Sequence, residues 1–140
     1  MKRITAFSLF AFAGILATSA ALAQEYSIQA TVPFNFTVGS KQLPAGTYRI
    51  TSARDNVVAI ENRETQASIL SAVSSDSEQP AKGAQLVFNK YGDQYFLREV
   101  LGGTAALNVS LPASRSEGRA RHQETMAQNR SQISIPAEGY

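Results

Sequence analysis

The side chains that could carry chemistry are few and widely spaced. His122 is the only histidine among the 140 residues, and there is no cysteine. A Ser-His-Asp nucleophile needs an imidazole held by packing, and His122 lies in a polar run beside Arg119 and Arg121. A zinc site needs several imidazole, thiolate or carboxylate ligands, which a chain so poor in His and Cys does not offer. Carboxylates are the remaining acid–base groups. Asp93 follows Gly92 and Asp55 precedes Asn56, both turn positions at which Asp bonds local backbone. Glu61 and Glu64 fall in a polar strand connection, ENRETQ. Asp76 and Glu78 could hold a hard cation, but the D-x-[DN]-x-[DN]-G spacing of a calcium loop is absent. The expectation is a non-enzymatic protein with no catalytic residue, no metal and no cofactor. A small hydrolase built from carboxylates and hydroxyls, with Asp93 or Glu99 essential, is an alternative.

Binding is the other chemistry to look for. Tyr91 and Tyr95 flank a turn and are the aromatics expected to be partly exposed, so they are the candidate binding residues, as a stacking platform for sugars or a partner surface. Tyr26, Phe34, Phe36, Tyr48, Phe88 and Phe96 fit core positions better. Arg115, Arg119, Arg121 and Arg130 could contact phosphate groups or a partner. Glu117, Glu124 and Glu138 interrupt them, which reads as a solvated segment.

The elements that must position these groups are strands. Ile28, Ala30, Val32, Phe34, Phe36 and Val38 alternate with Gln29, Thr31, Asn35 and Thr37, the period of a strand buried on one face. Both phenylalanines are expected in the core. Pro33 cannot donate to a ladder, so the strand should be an edge there, or kinked or bulged. Leu43-Pro44-Ala45-Gly46 suits a type I turn that folds a second strand back, with Tyr48 and Ile50 inward. Further strands are expected at residues 57–60, 68–73, 84–89 and 94–101. In the last, Tyr95, Leu97 and Leu101 should share one face and Phe96 and Val100 the other, so both faces should be covered. Residues 74–83 read as a loop, and residues 104–111 as either a short strand or an irregular return. After Pro112, Ser114 and Glu117 have capping-box spacing. The segment from Arg115 to Gln128 lacks an apolar stripe, so a helix there should be solvated and easily proteolysed. Ile133 and Ile135 fall in a loose end, or dock as an added strand.

The first residues read as an export signal. Lys2 and Arg3 precede an apolar run, ITAFSLFAFAGILA, and Ala21-Leu22-Ala23 is an A-x-A cleavage site. Residues 1–23 are therefore expected to be removed, and nothing later is apolar enough to span a membrane as a helix. Of 13 Lys and Arg, Lys2 and Arg3 leave with the signal, so 11 basic side chains balance 11 acidic ones. That balance gives no broad basic surface for nucleic acid.

At VPFNFTVGSKQLPAGTYRI, residues 32–50, the chain resembles an uncharacterised family of small exported bacterial proteins. Its pattern is a Pro-Phe-x-Phe strand, Val-Gly, then Leu-Pro-Ala-Gly-x-Tyr. The block LVFNKYGDQYFL, residues 86–97, is similar to that family's hairpin, and Leu111-Pro112-Ala113-Ser114 to its turn into a charged tail. Val100-Leu101-Gly102-Gly103 departs from it, because members often keep an aromatic group there. The resemblance implies export and no known activity. LPAGTY also resembles the L-P-x-G-x-Y turn of transthyretin-like and Cna-B-type sandwiches.

Together these readings give a mostly β protein: a single small antiparallel β-sandwich or barrel-like domain over residues 24–112, with a polar, flexible or helical tail over 113–140. It is expected to lie in the periplasm or outside the cell, with a structural or binding role in the cell envelope. The partner would be an envelope protein or a glycan, which makes a glycan- or surface-binding module another alternative.

Overall fold

The computed structural model describes residues 26–75, 83–103, 107–125 and 130–140. The expected signal at 1–23 and the Asp76–Glu78 pair lie outside them. Two sheets face each other across one apolar core. The first is built from β1 (Ser27–Val32), β4 (Gly46–Arg54), β5 (Val57–Asn62), β6 (Ser68–Ala72) and β12 (Glu138–Gly139), in the order β12-β1-β4-β5-β6. The second contains β7 (Ser74–Ser75), β8 (Ala84–Tyr91), β9 (Gln94–Gly102), β10 (Val109–Ser110) and β11 (Arg130–Pro136), in the order β11-β8-β9-β10-β7. β2 (Phe36–Val38) joins the second sheet by parallel pairing with β9, and β3 (Lys41–Leu43) pairs with β2. The result is sandwich-like, without a closed barrel.

The chain passes between the sheets at four places: the Pro44–Ala45 link from β3 to β4, and three corners. The first corner is Pro33. β1 ends at Val32 and β2 begins at Phe36, so the long alternating run is two strands in two sheets. A residue with no N–H fits where the ladder stops. Phe36 and Val38 lie in the core as expected, but Phe34, at the corner, is only partly buried. Its ring stacks on Tyr95 with centroids 3.9 Å apart. The second corner is Val73, between β6 and β7, where the Val73 N–H donates to the carbonyl of Asn56 at 2.8 Å. The third is Ala137, between β11 and β12, whose N–H donates to Ala84 at 2.8 Å. Both pairs of sheet edges are thereby linked by continuing chain.

Gly39, at φ +61°, makes the β2–β3 turn, a conformation that costs glycine little. β4 then returns beside β1 with Tyr48 opposite Ala30 and Ile50 opposite Ile28. Tyr48 and Ile50 are fully buried. Phe36 sits edge-on to both Tyr48 and Phe88, at 5.0 and 5.3 Å, the preferred aromatic geometry. In β9 the register shifts opposite Val87 and Phe88, leaving Arg98 as an extra residue. This bulge corrects the expected faces. A strand that gains one residue swaps sides beyond it, so Val100 enters the same core as Leu97, while Phe96 faces away from it.

Phe96 is covered by α1 (Arg115–Thr125). Ser114 caps the helix: its Oγ accepts the N–H of Glu117 at 3.1 Å, one of the donors that a helix start leaves orphaned. The helix is solvated on one face only. Glu117, Ala120 and Glu124 are buried against the hairpin of β8 and β9. β11 pairs with β8 along its whole length, with Ile133 opposite Phe88 and Ile135 opposite Leu86, so the docked-strand alternative is the one that forms.

Candidate functional site

The two sequence-predicted binding residues point to opposite faces of the β8–β9 hairpin. Tyr95 is half-buried between Phe34 and the Lys90 ammonium, whose Nζ lies 5.7 Å from the ring centre. Tyr91 is 5% exposed. It packs on Phe96 beneath α1, and its hydroxyl donates to Oε1 of Glu117 at 3.4 Å. The expected exposure of Tyr91 is thus corrected by the helix laid over it, and the pair makes no common platform.

The region around Tyr91 is polar but internally occupied. Glu117 Oε1 accepts Asn89 Nδ2 at 3.0 Å, and its Oε2 lies 3.6 Å from Arg98 Nη1. Glu124 Oε1 accepts the N–H of Gly92 at 2.8 Å, while its Oε2 is buried without a hydrogen bond. A hollow of about 440 Å³ opens beside it, lined by Asp93, Gln94 and Gln123 among others. Of its two carboxylates, Asp93 lies in the turn and Glu124 reaches it from α1, fixing the hairpin tip through the Gly92 N–H. Glu99 lies on β9 opposite Val87, one residue beyond the bulged Arg98 and away from that tip. His122, Arg115, Arg119 and Arg121 are exposed on α1. Among the described residues no three His, Cys, Asp or Glu side chains are placed to hold one metal ion.

The more open surface is the outer face of the first sheet. Strand register lines up one residue from each strand in a row across it: Glu138, Gln29, Arg49, Glu61 and Ser68. Alternation puts all five on the side away from the core, because their neighbours Ile28, Ile50 and Ile60 point in. Arg63 joins the row from the β5–β6 turn. Buried Asn62 builds that turn, its Oδ1 accepting the N–H groups of Glu64 and Thr65 at 2.8 and 2.9 Å, an Asx turn. The N–H of Arg63 donates to the Thr47 carbonyl at 3.1 Å. Its Nη1 donates to Gln29 Oε1 at 3.1 Å.

Two hollows meet at these arginines. One, about 370 Å³, is lined by Arg49, Glu61, Asn62, Arg63, Gln66 and Ser68. The other, about 390 Å³, is lined by Ser27, Gln29, Arg49, Arg63 and Tyr140. Tyr140 is exposed, and its hydroxyl donates to Glu138 Oε2 at 3.1 Å. That bond raises the phenol's pKa, with Arg63 pulling the other way. Guanidinium, amide, carboxylate and hydroxyl groups on a strand scaffold can bind a polar, hydroxyl-rich ligand by multiple hydrogen bonds. Alternation places Gln29, Arg49 and Glu61 on outer faces, but only the pairing of β1, β4 and β5 makes them one row.

The chain matches no protein-family model, no curated protein and no solved structure.

Proposed function

We propose that this protein is an exported, non-enzymatic binding domain of the bacterial cell envelope, and that it binds saccharide across the outer face of its first sheet. The observation that carries this reading is the five-residue polar row with its two adjoining hollows. Saccharides present many hydroxyls and little apolar surface, so their sites are built from side chains that both donate and accept. Gln29, Glu61 and Ser68 do both or accept, and the two arginines donate. Export is supported by the Lys2-Arg3 start, the apolar run and the Ala21-Leu22-Ala23 site, and by the resemblance to small exported bacterial proteins. Glu117 and Glu124, the buried carboxylates of α1, hold the helix to the hairpin through Asn89 and the Gly92 N–H, which favours binding over hydrolysis.

A test is amide chemical-shift mapping of the mature domain titrated with envelope polysaccharide fragments. Perturbations should cluster on β1, β4, β5 and the Arg63 turn. Shifts centred instead on Phe34, Lys90 and Tyr95 would move the site to the other sheet, and the absence of shifts with every fragment would overturn the saccharide reading.

A further inference from the structure

We infer that the hollow lined by Ser27, Gln29, Arg49, Arg63 and Tyr140 is an oxyanion subsite, taking a carboxylate or phosphate substituent on the bound saccharide. This inference rests on the saccharide reading and names the part of the ligand that the site selects. Three features point to an anion. First, the hollow's lining brings two guanidinium groups together and contains no carboxylate side chain. Second, the Arg49 guanidinium makes no hydrogen bond or ion pair with any described residue, although Glu61 is its cross-strand neighbour. Its five donors are therefore open to a ligand. Third, Arg63 is held but not used up. The single bond from Nη1 to Gln29 fixes its direction and leaves the other guanidinium donors free for a planar or tetrahedral oxyanion, the acceptors that this fork fits.

One more hydroxyl donor lines the hollow. Ser27 is 6% exposed there, whereas Tyr140 stands open with its hydroxyl proton given to Glu138. The nearby carboxylates limit what can bind. Glu138 accepts the Tyr140 hydroxyl, and Glu61 lines the neighbouring hollow rather than this one. They cancel much of the local positive charge at a distance, so the face lacks the field that would gather a polyanion. What remains is short-range recognition of one acidic substituent, with adjoining sugar hydroxyls reaching Gln29, Glu61 and Ser68.

The inference is tested by calorimetry and NMR on the mature domain with three probes. These are a uronic-acid oligomer, a neutral oligomer of equal length, and inorganic phosphate. The acidic oligomer should bind about tenfold tighter than the neutral one, the scale of one charge-assisted contact. Arg49→Gln should weaken both and bring the ratio close to one. Arg49→Lys, which keeps charge but not the fork, should recover only part of it. Unchanged melting temperatures show that the variants fold. Equal binding of the two oligomers by the wild type overturns the oxyanion subsite and leaves the saccharide reading standing. Phosphate shifting the Arg49 and Arg63 side-chain resonances while no oligomer binds supports the subsite and overturns the saccharide reading. No response to any probe overturns both.

Discussion

Glu117→Ala should unlatch the helix from the sheet without unfolding the sandwich. The wild-type carboxylate is 4% exposed and touches Asn89 at 3.0 Å, Tyr91 at 3.4 Å and Arg98 at 3.6 Å. Hydrogen bonds to a charged group are worth about 1.5–3 kcal/mol. Only the Asn89 bond has close to ideal length; the other two lie at or beyond the long limit and count for less. Arg98 keeps 27% of its side chain exposed, although its Nη1 is buried, so solvent screening discounts the charge contribution in part. Together these give a loss of about 2–4 kcal/mol. A helix of 11 residues is not stable alone in water, so that loss falls on the docked state. A whole domain holds about 5–15 kcal/mol, enough for the sheets to survive.

The assay is hydrogen exchange of the amides of α1, supported by brief trypsin digestion at the exposed Arg119 and Arg121. Opening should become easier by about thirtyfold to several hundredfold, while the amides of β4 and β8 keep their protection. Glu117→Gln, which keeps an acceptor for Asn89, should fall between. If Glu117→Ala leaves α1 protected while Ala120→Asp frees it, then the apolar contact alone holds the helix and the carboxylate latch is refuted.

Phe36→Ala removes a ring that is 1% exposed between Tyr48 and Phe88 and should cost about 3–5 kcal/mol in a denaturant melt. The control Gln42→Ala, on the exposed side of the paired strand, should stay within about 0.5 kcal/mol. Burial pushes the Tyr48 phenol above its usual value of 10.0; a hydrogen bond with Asn62 offsets this in part, and Glu64 adds to it. A raised folded-state pKa gives stability that is complete below the unfolded value, near 10, and is lost as pH climbs through the folded one. Thermal midpoints should therefore fall as pH rises past 10, and more gently in Tyr48→Phe. Mass spectrometry of the exported protein should find Gln24 at the N-terminus, whereas an intact Met1 form in membranes would indicate an uncleaved anchor.

Period-two alternation made most strands legible, because which faces are buried is a local property of the chain. Tyr48, Ile50, Leu86 and Phe88 all point inward as that pattern requires. Two features broke it for physical reasons that local pattern does not carry. At Pro33 the same alternation continues across a change of sheet, so Phe34 and Phe36 look equivalent although only Phe36 is enclosed. At Arg98 a bulge swaps the two faces, and the apolar residues on both sides of β9 hide the swap.

The C-terminal segment shows a different limit. By sequence alone its arginines are the candidate contact residues, and Glu117, Glu124 and Glu138 interrupt them as in a solvated run. In the fold those three glutamates make contacts of their own. Glu117 latches the helix, Glu124 takes the Gly92 N–H at the hairpin tip, and Glu138 orients Tyr140 beside the arginine hollow. Helix docking is normally legible as an apolar stripe, and here only Ala120 supplies one. A carboxylate facing water and one facing an orphaned backbone N–H are the same letter, and the partner that distinguishes them lies 28 or 32 residues away. The same holds for Arg49. Its identity and its outward direction are local, but that its guanidinium has no partner among the described residues, on which the proposed ligand chemistry depends, is a property of the assembled sheet.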